Sequence, residues 1–194
     1  MDFNKLIQSA LSIIGIQPDV QAQAPTNTPD VNNKQVMQAA LQQRYPYAVA
    51  QSPEDVARHA QAISDYMKSN NAPVGQFAND FANEANKYDI TRQYPYLVPA
   101  ISMNETSGGK NVTFPNNDTN WGIKEPTFKP TSHQQVIERT TSGIGERAPF
   151  YQDFRDTGDL SKFAAHYAPP GENNTKKYVQ DLLDRMAEMK KMEK

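Results

Sequence analysis

Hydrophobic positions in this chain fall into helical stripes along most of its length and lose that period in two places. Val56, Ala60, Ile63 and Met67 recur at intervals of three and four, the spacing that lines one face of an α-helix. Ser52-Pro53-Glu54-Asp55 stands just before them. Serine caps a helix start, proline at the first position loses no bond, and an acid in the first turn suits the dipole. These signals predict a helix over 53–69, broken by Asn70-Asn71. Phe77, Phe81, Ala85 and Tyr88 form a second stripe and predict a helix over 73–88, closed by Asp89-Ile90. An aromatic stripe at that spacing reads as core. Val136, Ile137 and Thr140 behind Ser132 predict a helix over 134–141, ahead of Gly143 and Gly145. Asp159 caps a short helix over 160–167, and Tyr178, Val179, Leu182, Leu183, Met186 and Met189 predict a last one from 175 to about 191.

The first break lies between 17 and 33, where three prolines and a run of polar amides carry no period. That is linker composition. It leads into a short helix from Asn33 to about Arg44 that Tyr45-Pro46-Tyr47 ends. Ahead of it, Phe3, Leu6, Ala10, Ile13 and Ile14 mark an amphipathic helix over 1–16, suited to docking on the domain or on a partner. The second break, 111–129, is rich in Asn, Thr, Pro and Gly, with Val112-Thr113-Phe114 and Trp121-Gly122-Ile123 as candidate short strands. The expected organisation is therefore a helix at 1–16, a linker with a short helix at 17–52, and a mainly α domain at 53–194 with a small, poorly formed β-hairpin.

Composition narrows the partners. The 194 residues suffice for one domain and an extension. Mean hydropathy of -0.78 is polar, but part of that polarity sits in the linker, which leaves the remainder able to bury a core. A net charge of -2 offers no clustered basic surface, so nucleic acid is not expected as a partner. There is no cysteine, and His59, His133 and His166 have no ligand spacing, so neither disulfides nor a metal or other cofactor is expected. No stretch reaches the roughly 18 apolar residues of a membrane span. Leu6 to Ile16 is too interrupted, and Asp2 too acidic, for a good signal peptide.

The chemistry concentrates between Pro99 and Lys124. An apolar run with Ala100, Ile101 and Met103 carries a single acid, Glu105, near its end, and Ser107-Gly108-Gly109 stops it. The chain's only tryptophan, Trp121, follows after a polar loop. Burial disfavours a charged carboxylate and raises its pKa, so a glutamate at the end of a partly buried helix can keep a proton near neutrality and donate it.

Glu105-Thr106-Ser107-Gly108-Gly109 resembles the E-S/T-x-x-G motif of the lysozyme-like superfamily, with its nearest echoes in bacterial and phage glucosaminidases and lytic transglycosylases. Asn120-Trp121-Gly122-Ile123-Lys124 is similar to the segment that follows the catalytic glutamate in glucosaminidases. Tyr167-Ala168-Pro169-Pro170-Gly171-Glu172-Asn173, with Tyr178-Val179 behind it, resembles a later stretch of the same superfamily. As an order of motifs the resemblance covers roughly residues 73–190. It implies a lysozyme-like helical domain whose hairpin lobe lies beside a cleft, and cleavage of peptidoglycan glycan strands with Glu105 as general acid. It implies Thr106, Asn120, Trp121, Ile123 and Tyr167 as substrate-binding residues, and Asp118 or Glu125 as a second carboxylate. Tyr167 is the residue expected to reach the acid or the N-acetyl group of the sugar, while Tyr178 is expected to pack the last helix. Neither the G-L-M-Q-I nor the A-Y-N-A-G segment of many lytic transglycosylases is present, which favours hydrolysis over the lytic outcome. The expected setting is the cell wall or periplasm, reached by secretion or on a phage particle. The rival reading is a module on the same fold that binds peptidoglycan or a virion component without cutting it.

Overall fold

Ser52 begins the described core as its sequence predicts, its hydroxyl accepting the Asp55 N–H at 3.1 Å. The computed structural model describes residues 50–110, 112, 128–167 and 174–194. The helix expected at 1–16, the linker helix and, apart from Val112, the two candidate strands lie outside them. Among the described residues the protein is mainly α, with no strand. In order, the elements are α1 (Pro53–Ser69), a 3-10 turn (Pro73–Phe77), α2 (Ala78–Ala85), α3 (Asp89–Gln93), α4 (Leu97–Thr106) and α5 (His133–Ser142). A π-turn (Gly143–Arg147), a 3-10 turn (Pro149–Tyr151), α6 (Gln152–Thr157), α7 (Leu160–Tyr167) and α8 (Thr175–Lys191) follow.

Local chemistry explains most boundaries. Ser132 caps α5 through the Gln135 N–H and Asn174 caps α8 through the Lys177 N–H. Asp159 accepts the Ser161 N–H at 2.8 Å at the start of α7.

The helix predicted over 73–88 is a departure. Its first turn is wound as a 3-10 helix, and Gly75 lies so close to α1 that a Cβ there would meet the Met67 Cβ at 2.9 Å. Its end is taken apart by side chains. Thr91 donates to the carbonyls of Ala85 (2.7 Å) and Tyr88 (3.1 Å), and Arg92 donates to that of Asn86 (2.7 Å). The Ala85 and Asn86 carbonyls, which a continuing helix would have used, are satisfied by α3 side chains instead, and the Tyr88 carbonyl takes the Arg92 N–H of the new helix. Asp89 and Ile90 therefore open a helix rather than close one.

The core gathers round α4. Leu97, Ala100, Ile101 and Ser102 are completely buried, and a helix covered on nearly every side belongs at the centre of a bundle. Pro99 is its third residue, where the N–H has no partner inside the helix in any case. α8 lies along α4, α1 and α7, while α2 and α5 cover another side of α4. From Tyr94 a chain of aromatic rings runs through Phe154 and Phe163 to Tyr151 and Tyr167, with ring centres 5.0–5.7 Å apart. α6, which the sequence pattern did not predict, supplies Phe154 to this chain.

Candidate active site

On α4 only two of the last four residues escape full burial. Asn104 is half-buried and Glu105 is exposed. The end of the helix is held by an unusual backbone. Ser107 adopts the left-handed conformation (φ 52°), and Gly108 (φ 68°) and Gly109 (φ 87°) continue it. The left-handed stop thus begins one residue earlier than the two glycines, at a serine. The glycines are needed for space as well as for φ. A Cβ on Gly108 would lie 2.4 Å from the Ala72 Cβ, and one on Gly109 would lie 2.8 Å from Val74. The Val74 N–H donates to the Gly108 carbonyl at 3.1 Å, which seals this loop to the 3-10 turn after α1.

Thr106 belongs to the same stop. Its hydroxyl donates to the Ser102 carbonyl (2.8 Å) and accepts the Gly109 N–H (2.9 Å), and the residue is buried. Its proton is used on the helix's last turn and one acceptor position on the loop beyond it, so the residue has a structural role in the stop. By fixing the turn after Glu105, Thr106 holds that residue where the helix presents it.

Among the described residues Glu105 meets one partner. The Tyr178 hydroxyl, from the first turn of α8, donates to Oε1 at 2.9 Å. Two effects act on the carboxyl. Desolvation by the surrounding protein, the larger, raises its pKa, and the Tyr178 hydrogen bond lowers it; the net result is above the ordinary glutamate value. The residue is exposed overall, yet its carboxyl lies among enough protein atoms for the first effect to prevail. No arginine, lysine or histidine among the described residues pairs with it, and no second carboxylate there contributes to its shift. Tyr178 itself is held far above the ordinary phenol range by burial and by the Glu105 charge. It is a neutral donor at any pH at which the protein would work.

Tyr167 lies behind Tyr178, the two rings stacked with centres 6.0 Å apart and planes 25° from parallel. Its hydroxyl is buried and has no hydrogen-bond partner among the described residues. Burial raises its pKa well above the usual value, with the charges of Tyr178 and Glu105 adding to the effect. The structure thus brings both tyrosines to the acid, but the hydroxyl in contact is that of Tyr178, not of Tyr167. The signal for Tyr178 was in the sequence, in Tyr178-Val179 behind the Y-A-P-P stretch, but its position on the apolar stripe of α8 reads equally well as packing.

Asn120, Trp121, Ile123, Asp118 and Glu125 lie outside the described residues. Among the described residues no three His, Asp or Glu side chains converge as a metal ion would require. The arrangement that is described consists of one carboxyl, facing solvent, with a raised pKa and one phenol bound to it. It can hold a proton, release it to an acceptor at the surface, and keep a hydrogen bond to the carboxylate left behind. No family model, no curated protein and no solved structure matches this chain.

Proposed function

We propose that this protein cleaves the glycan strands of peptidoglycan on a lysozyme-like helical domain, with Glu105 as the general acid. The observation that carries the reading is the environment of Glu105: a solvent-facing carboxyl with a raised pKa and, among the described residues, no cationic partner and a single neutral donor on Oε1. A surface glutamate with a structural role is normally paired with a cation or fully hydrated. This one is desolvated without compensation by charge, a cost that a proton donor requires. The motif resemblance supplies the substrate class.

In the proposed reaction Glu105 delivers its proton to the glycosidic oxygen as the bond to the sugar breaks. The charge developing on the sugar is that of an oxocarbenium ion. The Tyr178 hydroxyl, already on Oε1, stabilises the carboxylate as the proton leaves. Asp118 or Glu125 is the proposed second carboxylate that activates water or supports the cation, and Trp121, Asn120 and Ile123 would face the sugars, with Tyr167 backing Tyr178. The described residues offer no second carboxylate to Glu105, so hydrolysis depends on the 111–129 stretch supplying one. The absence of one there would favour the rival reading, a module that binds glycan strands without cutting them.

Mass spectrometry of the soluble products from purified peptidoglycan tests the proposal. Fragments with new reducing ends are expected. Fragments with anhydro ends would move the reaction to the lytic type. Strands that bind the protein and keep their length would overturn catalysis in favour of the binding module.

A further inference from the structure

Two turns along α8 from Tyr178, Arg185 joins three helices. Its Nε donates to the Asn104 Oδ1 at 2.6 Å and its Nη1 donates to the Tyr66 hydroxyl at 3.2 Å. Asn104 immediately precedes Glu105 on α4, and Tyr66 is a buried residue of α1. The other end of the Asn104 amide, Nδ2, is buried and has no hydrogen-bond partner among the described residues. The amide is therefore oriented through Arg185. Residues seven apart project from the same face of a helix, so one face of α8 grips α4 at two successive residues, Tyr178 on Glu105 and Arg185 on Asn104. The first grip is a single hydrogen bond at an exposed carboxyl, too weak to set how the two helices lie. The second is shorter, part-buried and charge-assisted, and it reaches a third helix.

We propose that Arg185 is a positioning residue: by holding Asn104 and Tyr66 it fixes α8 against α4 so that the Tyr178 hydroxyl stays on Glu105. Its catalytic consequence rests on the reading of Glu105 as the acid; the geometric claim does not. The titratable groups that bear on this corner are Tyr178 and, through Tyr66, Glu188 from α8, Tyr167 from α7, Tyr151 from the 3-10 turn before α6 and Tyr66 from α1. No ionisable side chain of α2 or α5, which also cover α4, contributes to the shift of Glu105.

The test is an NMR titration of the Glu105 carboxyl in the full chain, carboxyl-labelled at glutamate, with the signal assigned by its loss in Glu105→Gln. Tyr178→Phe removes the donor and is expected to move the midpoint upward. Asn104→Ala breaks the clamp while keeping the Arg185 charge, and alanine suits a helix. It is expected to move the midpoint in the same direction and by less. In the Tyr178→Phe background it is expected to add nothing, because the hydroxyl it positions is already gone. Arg185→Lys, which retains one donor, should fall between wild type and Asn104→Ala. An unchanged midpoint in folded Asn104→Ala would overturn the proposal. So would an equal shift with and without the Tyr178 hydroxyl, which would make Asn104 and Arg185 electrostatic neighbours only. The titration needs no substrate, so a preparation that fails to cut peptidoglycan while showing the expected midpoints would refute the proposed reaction and leave the clamp standing.

Discussion

Glu105 and Tyr178 oppose each other in a way that fixes the sign of a mutation. Burial pushes the carboxyl up and the Tyr178 hydrogen bond pulls it down. Tyr178→Phe leaves burial unopposed, so Glu105 keeps its proton to higher pH. A pH–rate profile for glycan cleavage should show the alkaline limb moved upward in this variant. At the optimum the rate should fall about tenfold, because a hydrogen bond to a developing carboxylate is worth roughly 1.5–3 kcal/mol and part of that is screened at an exposed site. A limb displaced to lower pH would contradict the account. At this scale the sequence is legible for the acid and not for its partner. A lone acid at the end of an apolar run before Ser-Gly-Gly is conspicuous, because nothing about packing calls for it. Tyr178 occupies a position where packing and hydrogen bonding leave the same spacing, and no local signal separates them. The role of Thr106 was hidden for a related reason, since a hydroxyl reveals its partners only once the turn beyond it is known.

Among the elements, the stop after α4 carries the sharpest stability requirement. Gly108 needs a positive φ and has no room for a Cβ beside Ala72 and the Met103 sulfur at 2.8 Å. Gly108→Ala should therefore lower stability in a denaturant titration by about 2–4 kcal/mol, the sum of strain and overpacking. A loss below about 0.5 kcal/mol would mean that the loop relaxes and does not hold Glu105 in place. The helices α1 and α5 were legible from a capping serine and an apolar stripe, α7 from Asp159 at its start and α8 from its long apolar stripe. The stripe from Phe77 to Tyr88 was equally regular but is split in the fold. Thr91 and Arg92, which lie beyond the stripe, compete for its last carbonyls, and hydrophobic periodicity carries no trace of such competition. α6 is a six-residue helix with one buried side chain, Phe154, too little for any period.

For the molecule as a whole, the end of α8 is secured by charge. Just beyond the helix, Glu193 receives Lys190 at 2.8 Å, Arg58 at 3.3 Å and the Tyr96 hydroxyl, with the His59 Nε2 3.5 Å away. Burial alone would raise this carboxyl, but Lys190, Tyr96 and His59 together outweigh it and its pKa is lowered. A carboxylate with a lowered folded-state pKa stabilises the fold above its unfolded value, near 4.5, and ceases to do so as pH falls through the lower value. His59 acts in the same direction. Burial lowers its pKa, so stability is lost as pH falls from 6.5 through the lower folded value. Glu193→Gln should cost about 1–3 kcal/mol at neutral pH, measured by thermal or urea unfolding, and the difference from wild type should close in acid. A difference that persisted unchanged at pH 3 would show that the charge of Glu193 is not what secures the helix. The helical period of the apolar positions gave the mainly α class. Among the described residues no helix is long and apolar enough to cross a membrane.

The central claim, that Glu105 donates the proton for glycan cleavage, is tested most directly by release of soluble fragments from dye-labelled peptidoglycan with wild type and Glu105→Gln at equal folded concentration. Gln keeps the shape and still accepts the Tyr178 hydrogen bond, but has no proton to give. The account predicts release by the wild type and a loss of at least about 100-fold in the variant, the usual scale of a general acid's contribution. Equal release by both proteins would contradict it.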